Sequence, residues 1–284
     1  GERVDGQAEE GEDTREGDAY CSPAITTRRY DLGQSDEARG LELLEELTSS
    51  PAGTLVRELH TVETEALLPG VHAARRVATD TFHQESSPEA AACVRTEWDH
   101  DDSGNIVEER AFGRVDLETG ADIPGDERIT TTTYTVPTDP AGPRDRAAEI
   151  FVTDGDGMQV SATRNHYDGE PEQGLPLGEV GSRGLVTRTL VWTEADTWLT
   201  SVRRTHDTHG NVTRIRDAED GILERRYDPA GLFPIEEQLL LDDSALVTTA
   251  AWNPLHGHPT SVTGPSGATV RAEYDGLGRL AAEI

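Results

Sequence analysis

The sequence predicts an all-β fold built from repeated strand–turn–strand units, with one short helix near residues 36–48. Three observations carry this. Segments rich in Thr, Val and aromatic residues recur along the chain, separated by clusters of Gly, Pro, Asp and Asn. Apolar and polar positions alternate with period two in several of them. Leu223, Arg225 and Tyr227 share one face of "GILERRYD", and Val270, Ala272 and Tyr274 share one face of "ATVRAEYD". Finally, the C-terminal third repeats itself.

Residues 1–20, "GERVDGQAEEGEDTREGDAY", are acidic and nearly free of apolar side chains, which predicts a flexible segment. In "DEARGLELLEELT", Leu41, Leu44 and Leu47 recur every three residues, Ser35 can act as N-cap, and "SSPAG" ends the run. That pattern predicts the helix. "GTLVRELHTVETEALL", "ERITTTTYTV", "LVTRTLVWT", "TWLTSVRRTH" and "ATVRAEY" are expected strands. "TDPAGPRDRA", residues 138–147, is expected to be a long loop or a boundary. The chain therefore divides into an acidic segment (1–20), an N-terminal β region containing the helix (21–145) and a repeat region (146–284).

The repeat reads "THDTHGNVTRI", "RYDPAGLFPIE", "AWNPLHGHPTSV" and "EYDGLGRLAAEI". Each copy has a ring-bearing residue, then Asp or Asn, turn residues, Gly and an apolar-containing run. The acidic or amide positions are Asp207, Asp228, Asn253 and Asp275. One period accommodates two strands and two turns. The Asp can bond its own backbone two residues on and so start the turn. Gly three residues later can take the positive φ that the reversal needs. The tyrosines before the Asp are expected to be buried at the strand ends. A lone hairpin cannot bury its apolar face, so neighbouring hairpins must stack.

These residues resemble the YD repeats of Rhs proteins, and "YDGLGRL" (Tyr274, Asp275, Gly278, Arg279, Leu280) is close to an ideal copy. "RTEWDHDDSGNIVEERAFGR" and "HYDGEPEQGLPLGEVGSRGLVTRT" resemble the middle region of the B component of insecticidal Tc toxin complexes. The repeat at Trp252 departs from the pattern, with Trp-Asn for Tyr-Asp and an extra residue before Gly257. The resemblance implies an arc of a spiralling antiparallel β-sheet that forms a hollow shell. It implies a non-enzymatic, structural role in enclosing a toxic C-terminal polypeptide for delivery. Implied partners are the rest of the shell, the enclosed effector, a C component and a pore-forming A component. A secreted or cell-surface location follows. A surface adhesion or carbohydrate-binding array is the alternative.

The net charge is −30 and every basic residue is Arg. Such a chain repels nucleic acid and anionic membranes. Lacking an initiating Met and ending on the strand-like "RLAAEI", it reads as a piece of a longer protein. Cys21 and Cys93 are too few for a disulfide framework, and their pairing stays open.

Sharper chemistry fails on its templates. Asp99, Asp101, Ser103 and Gly104 follow the opening of a calcium loop, but its twelfth position is Arg110, where a bidentate Glu is needed. Asp154 and Asp156 form an equally incomplete pattern. Either Asp101 or Asp102 is instead expected to start a turn. His206 with His209, and His256 with His258, lack a third ligand at zinc-like spacing. Asn211 in "NVT" matches a glycosylation acceptor, for which a turn Asn is the simpler reading. There is no G-x-S-x-G, P-loop or H-E-x-x-H motif. No catalytic, cofactor-binding or metal-binding residue and no cofactor is assigned.

Overall fold

The computed structural model describes residues 24–30, 42–49, 53–68, 71–83, 92–194 and 197–284. Among them are twenty strands, eighteen in one sheet and two in a separate parallel pair. The chain forms two compact units, Gly1–Thr132 with Phe151–Val160, and Thr133–Ile150 with Ser161–Ile284.

The first unit is an antiparallel meander in which each strand pairs with its sequence neighbour. Its order is β1 (Ala24–Tyr30), β2 (Glu42–Ser49), β3 (Gly53–Leu68), β4 (Val71–His83), β5 (Ala92–His100), β6 (Ile106–Val115) and the start of β7 (Arg128–Tyr134). Leu44, His60, Cys93 and Val115 are buried. His60 Nδ1 lies 2.9 Å from Thr79 Oγ1, and burial lowers the pKa of this imidazole.

The expected helix over 36–48 is corrected here: residues 42–49 are β2, and 36–41 lie outside the described residues. Cross-strand pairing overrides the three-residue Leu spacing. Leu44 stands opposite Arg29 and Leu59, and is only 7% exposed. The glutamates that favour a helix find arginines across the sheet, Glu45 with Arg28 at 3.1 Å and Glu46 with Arg57 at 3.3 Å. A strand flanked on both sides offers more burial than propensity can oppose.

The second unit contains the end of β7, then β8 (Val136–Pro137), most of the hairpin β9 (Ala147–Asp154) and β10 (Gln159–Tyr167), and β11 (Glu179–Val180). A long meander follows: β12 (Val186–Glu194), β13 (Thr197–His206), β14 (Val212–Asp217), β15 (Ile222–Tyr227), β16 (Pro234–Leu241), β17 (Ser244–Asn253), β18 (His258–Thr263), β19 (Thr269–Tyr274) and β20 (Leu280–Glu283). From β12 onward every strand pairs antiparallel with the next. The register aligns Ile215, Leu223, Leu239 and Leu246 as one cross-strand apolar row.

The most deeply buried side chains of this unit cluster around the loop between β10 and β12. Val180 is fully buried, Ala148, Ala162 and Tyr167 nearly so, and Thr135, His166 and Thr187 are buried polar residues. β11 pairs parallel with β8, and Thr138 N–H donates to Val180 O at 2.7 Å. Residues 138–146 form the expected loop, between β8 and β9.

Candidate functional site: the column of repeat turns

In the repeat region, every second hairpin turn falls on the same edge of the meander. These are the turns at Asp207, Asp228, Asn253 and Asp275. At Asp207, the backbone N–H donates to Asn211 O (3.0 Å), and Gly210 N–H donates back to Asp207 O (3.2 Å). Asp207 Oδ1 accepts from His209 N (2.8 Å) and Asn211 N (2.9 Å). Asp275 closes the same loop: Oδ1 accepts from Leu277 N (2.9 Å) and Arg279 N (3.0 Å), and Oδ2 accepts from Arg279 Nε (2.7 Å). Gly210 and Gly278 have φ of 96° and 79°, which L side chains rarely adopt. This is a tight turn followed by a left-handed residue, a common way to close a hairpin.

The other edge reuses the device with a difference. At Asp217 the left-handed position is held by Asp220, with φ of 64°. Asp217 Oδ1 accepts from Glu219 N and Gly221 N. The degenerate repeat keeps less: Asn253 Oδ1 accepts from Leu255 N (2.9 Å), and Gly257 N–H donates to Asn253 O (2.9 Å).

The same geometry decides between Asp101 and Asp102 in the first unit. Asp101 starts the turn. Its Oδ1 accepts from Ser103 N (2.8 Å) and Asn105 N (2.9 Å), and its Oδ2 accepts from Asn105 Nδ2 (2.9 Å). Desolvation opposes its charge, but these donors together hold its carboxyl below the usual range. Arg110 turns toward carboxylates of its own, Asp99 at 3.2 Å and Glu108. Asp154 likewise spends Oδ1 on Asp156 N and Met158 N. Among the described residues, no three His, Cys, Asp or Glu side chains converge as a metal ion requires. Cys93 is buried, and desolvation raises its thiol pKa; Cys21 and residues 1–20 lie outside the described residues.

Successive turns touch one another. Arg183 Nη2 donates to Asp207 O (3.0 Å) and Thr208 O (3.1 Å). Asn211 Nδ2 donates to Gly231 O (2.7 Å), tying one repeat turn to the next. The ring of Phe233 stacks on Trp252 at 5.2 Å, and His258 stacks on Tyr274 at 4.9 Å. Three of the four ring-bearing residues before these turns also reach back with a polar tip. Tyr227 Oη donates to Val212 O (3.4 Å), Trp252 Nε1 to Pro234 O (2.8 Å) and Tyr274 Oη to Pro259 O (2.9 Å). Tyr227 and Tyr274 are half-buried rather than buried, because the hydroxyl must stay at the sheet margin to reach that carbonyl.

The column starts from a more deeply buried version of the motif, in "HYDG". Tyr167 is 3% exposed and donates to Ala147 O at 2.8 Å. Asp168 accepts from Gly184 N and Leu185 N, both at 2.9 Å, and so closes the long loop 168–185. His166 Nδ1 lies 2.8 Å from Leu175 O, and desolvation lowers the pKa of this imidazole. The motif was visible in sequence, but the clamp from Asp168 to Gly184 was not, because no local pattern links a turn Asp to a glycine so far along the chain.

The turn carboxylates of Asp101, Asp154, Asp207 and Asp275 are thus engaged by backbone donors, and the recurring Asp-started turns of the repeat region build a stack of hairpins. Residues 254–284 match the family model described as RHS Repeat. No curated protein matches this chain in sequence. Its fold is similar to the crystal structure of TcdB2-TccC3, with TM-score 0.63 and 11% identity, covering 92% of this chain and 20% of that one. TcdB2-TccC3-Cdc42 gives TM-score 0.63 at 10% identity, and TcdB2-TccC3 without its hypervariable C-terminal region gives 0.60 at 12%. The chain spans about a fifth of the length of these structures.

Proposed function

We propose that this chain is a non-enzymatic wall segment of an Rhs-type toxin shell, enclosing a toxic C-terminal polypeptide for delivery. The fold shared with TcdB2-TccC3 over 92% of the chain carries the reading. The RHS repeat at 254–284 and the turn column support it. In this reading residues 21–145 are the N-terminal part of the wall and 146–284 its repeat part. The turn carboxylates are consumed in closing hairpins, which suits a wall and leaves them without a catalytic task. The partners are the remainder of the shell and the effector within, with a C component and a pore-forming A component completing a secreted complex.

The test is protease protection. The complete reading frame is expressed and the polypeptide downstream of the repeats is followed during digestion. It should resist until the shell is denatured. Cleavage at the rate of the free polypeptide would contradict enclosure and favour an adhesive or carbohydrate-binding array.

A further inference from the structure

The loop 168–185 is fastened at its base and again near its middle. At the base, Asp168 accepts from Gly184 N and Leu185 N, and Thr187 Oγ1 donates to Asp168 O at 2.9 Å. Near the middle, Leu175 N–H donates to Tyr167 O at 2.8 Å, and Leu175 O lies 2.8 Å from His166 Nδ1. A carbonyl oxygen only accepts, so Nδ1 carries the proton in this contact. Nε2 then holds a lone pair, to which Arg188 Nη2 donates at 3.1 Å. Among the described residues this is the one hydrogen bond of the Arg188 side chain, whose Nε is buried without a partner. The seated loop therefore requires a neutral imidazole.

A proton on Nε2 would take away the acceptor of Arg188 and set imidazolium against guanidinium in a buried place. The charges that bear on the ring are Arg188 from β12 and Arg164 from β10, with no carboxylate among them. Carboxylates of the adjoining elements are engaged elsewhere. Glu149 of β9 accepts from Arg164 Nε at 2.7 Å, and Glu172 of the loop faces Arg214 and Arg216. On β13, Arg203 stands opposite Arg188, and His206 has Arg183, Arg204, Asp168 and Asp207 around it. The ring has no room to turn away beneath the loop. A Cβ on Gly174 would come within 2.7 Å of His166 Cβ and 3.1 Å of Thr187 Oγ1, so the loop backbone lies directly on this residue. Water reaches the imidazole when that stretch lifts.

We propose that His166 is an acid-sensitive latch, whose protonation releases residues 170–178 from the sheet while Asp168 keeps the base of the loop clamped. The base bonds are made by a carboxylate and backbone N–H groups and contain no imidazole. Desolvation holds the His166 imidazole below its ordinary range. The latch is therefore closed above about pH 6.5 and opens as pH falls from there through the folded value.

Hydrogen exchange of the whole chain, read peptide by peptide and scaled to intrinsic rates at each pH, tests this. Between about pH 7.5 and about pH 5, exchange in 170–178 should rise by about tenfold or more, and peptides covering Gly184 and Leu185 should stay protected. His166→Gln, which cannot take the charge, should keep exchange level across the range. Arg188→Gln, which removes the facing cation, should make the rise smaller. His206→Gln should reproduce the parent. The proposal is overturned if 170–178 stays protected at the acid end, or if the base opens together with it. It is also overturned if His166→Gln or Arg188→Gln keeps the full rise, or if His206→Gln abolishes it. If His166→Gln does not fold, Arg188→Gln decides by the same criterion.

Discussion

His209 lies across the glycine of the next repeat turn: a Cβ placed on Gly231 would come within 2.7 Å of His209 Nδ1. His256 covers Gly278 in the same way, at 3.1 Å. A turn residue of one repeat therefore seats on the left-handed glycine of the following one. Gly231→Ala should cost about 1–3 kcal/mol, combining the strain of a positive φ with displacement of the imidazole. Gly257→Ala, whose Cβ would meet only Phe233 at 3.8 Å, should cost about 1 kcal/mol from φ alone. Urea titration of both variants, and of each combined with His209→Ala, checks this. His209→Ala should soften the Gly231 change and leave the Gly257 change as it was. Equal costs in every background would mean that the His209 imidazole does not seat on Gly231.

Tyr167 and Tyr227 occupy the same motif position at different depths. Tyr167→Ala should cost about 3–5 kcal/mol, as for other buried aromatic truncations. Tyr167→Phe, which leaves Ala147 O without its donor, should cost about 1 kcal/mol. Tyr227→Ala should fall clearly below Tyr167→Ala, since Tyr227 is half-buried. Chemical denaturation of the three variants provides the comparison. A Tyr227 loss equal to or above that of Tyr167 would contradict the assigned depths.

The turn carboxylates give stability a defined acid limit. The Phe233 N–H, aided by Leu232 N–H, holds the Asp228 carboxyl below its usual range, and the Arg279 N–H with its guanidinium does so for Asp275. A depressed folded pKa contributes stability above the unfolded value, near ~3.9, which is lost as pH falls through the folded value. The imidazoles of His60 and His166, both buried, and of the half-buried His206 are also depressed, chiefly by desolvation. Their contribution is present above about pH 6.5 and is lost as pH falls from there through their folded values. Tm measured from neutral pH downward should therefore fall in two stages. Asp228→Ala should shrink the lower stage, and His166→Gln the upper. A flat profile down to about pH 3 would exclude both contributions.

Calcium should leave the melting temperature unchanged. Asp101 already spends three acceptor contacts on Ser103 N, Asn105 N and Asn105 Nδ2, so an ion would have to displace its own turn. Melting with calcium and with a chelator is the check. A chelator-induced drop of several degrees would show that an ion is bound, since bound ligands stabilise by mass action.

Much of the repeat was legible because its signals are local. Asp207, Gly210 and Asn211 lie within five residues of one another and close one turn. The strand "GTLVRELHTVETEALL" coincides with β3, and "TWLTSVRRTH" with β13. What failed or stayed hidden depends on partners distant in sequence. Leu44 reads as helical until Arg29 and Leu59 flank it. Asp168 reads as one more turn Asp until Gly184 and Leu185 donate to it. Arg188, Arg203 and Arg216 stand opposite one another only because three strands bring them into register, and no spacing along one strand announces that alignment.

The most direct test of the central claim is the structure of the complete reading frame's product, determined by electron cryo-microscopy. The account predicts that residues 133–284 form part of the wall of a hollow shell. The turns at Asp207, Asp228, Asn253 and Asp275 should lie in one column, and polypeptide density should fill the space within. A solid domain whose sheet packs on itself, with the downstream polypeptide outside, would contradict it.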